Sequence, residues 1–81
     1  EDFPALDLAV EAGTRGGTLP AVLNAANEVA VESFLARKIP FPKIWGIVAK
    51  VMAECPHLDH PGLEELIDAD RVARELASRL T

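Results

Sequence analysis

The chain has 81 residues and a mass of 8.7 kDa, with 8 Lys+Arg against 13 Asp+Glu and a formal net charge of −5. That is one small domain, residues 1–81, below the usual size of a complete enzyme. The acidic balance argues against nucleic acid and anionic membrane surfaces, which select clustered Lys and Arg, and no apolar run reaches the ~18 residues of a membrane span.

The periodicity is helical throughout, with 13 Ala and 10 Leu, both strong helix formers. The first helix is expected from Pro4 to about Ala12. Asp2 is placed to cap it, Pro4 suits the first turn, and Gly13 is a natural stop. Gly13-Thr14-Arg15-Gly16-Gly17 then reads as a turn. Its glycine spacing is wrong for a dinucleotide fingerprint, and no strand precedes it.

The second helix is expected from Thr18, as N-cap, to about Ala36. Leu19, Val22, Leu23, Ala26, Ala30 and Phe34 follow the i, i+3, i+4, i+7 rule and form one apolar stripe. The opposite side is mixed, with Asn24, Glu28, Val31 and Leu35 at helical spacing. A surface helix would carry only polar residues there, so two contact faces are expected. Asn is a poor helix former, so Asn24 and Asn27 inside one helix imply side-chain hydrogen bonds. Asn24, Asn27, Glu28, Val31 and Leu35 are therefore the candidate inter-domain contact. Hydrogen bonding within the domain is the competing explanation.

Arg37 to Phe41 is a linker anchored by Ile39 and Phe41, with Pro40 and Pro42 bracketing the turn. The third helix is expected from Lys43 to Glu54, with Ile44, Ile47, Val48 and Val51 as its core stripe. Gly46 weakens it by roughly 1 kcal/mol relative to Ala, unless close packing needs a missing side chain. Cys55 to Gly62 is a loop. A short helical turn, Leu63 to Ile67, should follow, and Asp68 should cap a last helix from about Ala69 to Leu80. Val72, Ala73, Leu76 and Leu80 form its buried stripe. The expected architecture is all-α, a compact bundle of four main helices plus a short helical turn. The expected core is Leu8, Leu19, Val22, Leu23, Ala26, Ala30, Phe34, Ile44, Ile47, Val48, Val51, Leu66, Val72, Leu76 and Leu80.

An apolar content of 49% is too rich for a disordered tail. A single cysteine, Cys55, rules out an internal disulfide and fits a reducing compartment. The acidic start lacks a basic signal-peptide region, and the absence of an initiating Met reads as a piece cut from a longer chain. Cys55, His57, Asp59 and His60 are the only cluster of metal-type ligands. The two histidines share one loop, and no second pair completes a tetrahedral site. Cys55 with His57 is weaker still as a catalytic pair. Glu64-Glu65 and Asp68-Asp70 lie at expected helix starts, where acidic residues suit the dipole. No catalytic, cofactor-binding or metal-ligating residue is assigned.

Phe3-Pro4-Ala5-Leu6-Asp7-Leu8-Ala9, then Leu23-Asn24-Ala25-Ala26-Asn27-Glu28 with Phe34-Leu35 downstream, resembles the C-terminal helical domain of 1-deoxy-D-xylulose 5-phosphate reductoisomerase. Ile39, Phe41 and Ile44, Leu63 to Leu66, and Asp70 agree with it. Pro42 departs from it, standing where relatives often have a polar cap. The resemblance implies a parent enzyme that rearranges and reduces 1-deoxy-D-xylulose 5-phosphate to 2-C-methyl-D-erythritol 4-phosphate in non-mevalonate isoprenoid biosynthesis. It implies NADPH and a divalent cation (magnesium, manganese or cobalt), all bound upstream of this domain. It further implies a homodimer, cytoplasmic in bacteria or plastidic in plants, in which this domain supports the catalytic domain of the same chain. An excised domain would expose covered apolar surface and self-associate. A free-standing helical interaction module is the alternative reading, and a metal-dependent enzyme using Cys55, His57 and His60 the third.

Overall fold

A computed structural model describes residues 4–81. The described residues form four helices and no strand: α1 (Pro4–Arg15), α2 (Leu19–Leu35), α3 (Lys43–Glu54) and α4 (Leu63–Leu80). The all-α bundle expected from the periodicity is thus observed. Asp2, the expected cap of α1, lies outside the described residues. α2 is the central element and packs against the other three; α3 also touches α4 and α1.

Small side chains hold the middle. Ala25, Ala26 and Ala30 of α2 and Ala73 and Ala77 of α4 have no exposed surface, and these two helices share the largest interface. Alanine lets helix backbones approach closely and loses no rotamer freedom on burial. α3 contributes Ile44, Ile47, Val48, Val51 and Met52. The larger residues expected in the core, namely Leu8, Leu23, Phe34, Val72, Leu76 and Leu80, are half-buried and flank it. Leu66 is half-buried too.

Three local expectations are corrected. Gly13 does not stop α1, which continues to Arg15. Gly16 does so, with φ +64° and its N–H donating to the Ala12 carbonyl at 2.9 Å. Thr18 makes no side-chain cap. It is buried, and its Oγ1 accepts the Leu58 N–H at 3.1 Å while its own N–H donates to the Leu58 carbonyl at 2.9 Å. The loop after α3 is thereby clamped to the start of α2. Gly17, at φ +60°, makes this approach feasible, since a Cβ there would run into the Leu58 carbonyl oxygen.

The third correction concerns α4, which is one helix rather than a short turn followed by a capped one. It starts after Gly62, whose N–H donates to Glu65 Oε1 at 2.8 Å. Asp68 lies inside it and accepts from Arg71 at 2.7 Å. No Gly or Pro interrupts residues 63–80, so nothing divides the helix.

Candidate functional site

The loop that carries the metal-type side chains does not assemble a site. Cys55 is buried at the end of α3, and burial pushes its thiol pKa up, aided by Glu54. Such a shift disfavours the thiolate, the form that attacks or ligates. His57 Nε2 stands 2.8 Å from Asp59 Oδ1, and His60 is exposed. Among the described residues, no three His, Cys, Asp or Glu side chains are grouped to hold a metal ion.

Of the acidic pairs, Asp68 and Asp70 are engaged with arginines, while Glu65 accepts the Gly62 N–H at the start of α4. Arg71 bridges Asp68 and Glu75 along α4. Arg74 reaches Asp70 through Nε at 2.6 Å and Glu28 of α2 through Nη2 at 2.7 Å. Hydrogen bonds to Asp70 and Glu28 raise the pKa of Arg74 above its ordinary value. The Asp70–Arg74 half was legible as an i, i+4 pair. The link to Glu28 joins positions 46 apart, and no local pattern announces it.

The five candidate contact residues therefore divide. Glu28 faces α4 and is paired. Val31 is half-buried against the core. Asn27 is half-buried, and its Oδ1 is sealed from solvent with no hydrogen-bond partner among the described residues. Asn24 is exposed, and Leu35 is 71% exposed. Asn24, Asn27, Pro20, Leu23 and Trp45 line a shallow groove of about 270 Å³. Across Trp45 lies a larger, apolar groove of about 630 Å³ between α1 and α3, walled by Leu8, Phe41, Pro42 and Ala49.

Compared with known families, residues 1–76 match the DXP reductoisomerase C-terminal domain. The chain belongs to this family. It is 55% identical over 78 residues to 1-deoxy-D-xylulose 5-phosphate reductoisomerase of Pelotomaculum thermopropionicum, covering 96% of this chain and 20% of that relative. Against the enzyme of the same name from Desulfitobacterium hafniense (strain DSM 10664 / DCB-2) it is 58% identical over 73 residues, 90% of this chain and 19% of the relative. Against that from Halothermothrix orenii it is 49% identical over 79 residues, 98% of this chain and 21% of the relative.

A reductoisomerase C-terminal domain thus spans about a fifth of these relatives. The NADPH and divalent cation that the resemblance implies find no fit among its described residues. No three His, Cys, Asp or Glu side chains are grouped among them, and the glycines at 16 and 17 follow a helix and not a strand. This reductoisomerase domain presents two grooves sharing Trp45, and exposed apolar side chains including Leu35 and Phe41.

Proposed function

We propose that this chain is the non-catalytic supporting domain of a larger enzyme that converts 1-deoxy-D-xylulose 5-phosphate to 2-C-methyl-D-erythritol 4-phosphate. NADPH and a divalent cation serve that reaction and are held by other parts of the parent chain. The parent works as a cytoplasmic homodimer, or in the plastid if the source is a plant. This domain braces the catalytic domain of its own chain, with Asn24, Asn27 and Leu35 of α2 at the contact, while Glu28 and Val31 hold that face to the bundle.

The observation that carries the reading is the near-complete match to enzymes five times as long, with 49–58% identity across at least 90% of this chain. That match fits a domain of a longer enzyme, and a role through its surface is the reading it supports.

Leu35→Glu in the full enzyme tests the contact. Leu35 is exposed in the bundle, so the bundle itself tolerates the change. A buried, unpaired carboxylate at an interface costs several kcal/mol, roughly 3. The expected result is a lower melting temperature and lower activity together. Unchanged values for both would refute bracing at this face.

A further inference from the structure

Gly46 opens onto the apolar groove between α1 and α3. It lies in the interior of α3, where glycine weakens a helix relative to alanine. Interior helical glycines recur where another segment approaches the backbone closely. Among the described residues, a Cβ added at Gly46 meets nothing within 4 Å. The missing side chain answers to no neighbour among the described residues.

The groove around it has the character of an uncovered core. Leu8, Phe41, Pro42, Trp45 and Ala49 form its walls, and Asp7 is the one charged residue among its described lining residues. Phe41 is 55% exposed there.

We propose that this groove seats the catalytic body of the parent chain, which places an apolar side chain between Leu8, Phe41 and Trp45 and brings its backbone over Gly46. This rests on the supporting-domain reading and adds the face that docks. The relatives carry this family as a C-terminal domain of about a fifth of their length. In those chains the other four fifths enter through the counterpart of α1, the helix that supplies Leu8. A tethered occupant stays at high effective concentration beside the groove, so a modest apolar contact suffices to hold it. The Asn24 and Asn27 groove across Trp45 continues the same face with amide groups suited to backbone partners.

The test is hydroxyl-radical footprinting of the full-length parent, read by mass spectrometry, with the natural sequence and with Gly46→Leu. Leucine favours the helix and meets open space, so the bundle accepts it; hydrogen exchange in α2 and α4 verifies this, and Gly46→Ala gives a milder version of the same change. In the natural enzyme, Phe41 and Trp45 are expected to oxidise roughly tenfold slower than in the denatured chain, as water-excluded interface residues do. In Gly46→Leu both rates should rise several-fold with α2 and α4 still protected. Rapid oxidation of Phe41 and Trp45 in the natural enzyme overturns the proposal, as does protection that Gly46→Leu leaves intact. Protection that fades on dilution assigns the groove to a second copy and also overturns it. If the groove is open but Leu35 is protected, bracing stands and only this docking face falls. If neither is protected, both fall.

Discussion

Arg37 ends α2 in the left-handed region, at φ +63°. Its N–H donates to the Phe34 carbonyl at 2.9 Å, and the Lys38 N–H donates to the Ser33 carbonyl at 2.8 Å. This is the pattern usually closed by glycine. A left-handed conformation costs a non-glycine residue about 1–2 kcal/mol, and glycine's greater freedom when unfolded cancels part of that. Arg37→Gly is therefore expected to stabilise the chain by about 0.5–1 kcal/mol, seen as a higher urea midpoint at unchanged slope. The sequence placed the end of α2 within a residue but held no glycine to reveal how it closes. Gly13 misled in the opposite direction. It sits within a helix, while Gly16, three residues on, takes the left-handed position.

At the scale of elements, α3 was legible at both ends because prolines punctuate it, Pro42 before and Pro56 after. α4 was not, because Asp68 has the chemistry of a cap. Which carboxylate caps a helix depends on what else it meets, and Asp68 meets Arg71. The two descriptions of α4 differ in a measurable way. An exposed intrahelical pair contributes at most about 0.5 kcal/mol, whereas losing an N-cap costs about 1 kcal/mol. Asp68→Ala is expected to cost less than about 0.5 kcal/mol in urea unfolding, with helical circular dichroism unchanged. Thr18 shows the same limit. Its hydroxyl was free to cap α2 by local chemistry, but a loop forty positions away claims it. Long-range partners such as Leu58 for Thr18, or Glu28 for Arg74, leave no periodic trace.

The described residues extend 36 × 29 × 16 Å along their principal axes. The shortest dimension is less than two helix diameters of 10–12 Å, so most helices keep a face toward solvent. That is why large side chains expected inside stop at half-burial, and why apolar surface remains exposed on the described bundle. The candidate contact was legible as a face with too many apolar residues; its division between internal pairing and open surface required the third dimension.

Burial also gives the molecule an alkaline limit. The Cys55 pKa is raised above its ordinary 9.0. Below 9.0 the thiol is protonated in both folded and unfolded chains, and the stabilisation is whole. As pH climbs past that value, the unfolded thiol ionises first, and stability falls until the folded pKa is passed. Unfolding free energy measured against pH should decline above 9.0 in the natural chain. Cys55→Ala, though less stable overall, should lack that component of the decline.

Ala25, Ala26, Ala30, Ala73 and Ala77 show no surface to solvent, and so invert the usual relation between bulk and importance. Adding even one methyl group at such a site wedges backbones apart, while trimming a flanking leucine only deepens a margin that is already wet. In a saturation library, the least forgiving positions would bear the smallest side chains. A search for distant cousins would do better to weigh the register of these alanines than the spacing of the leucines around them.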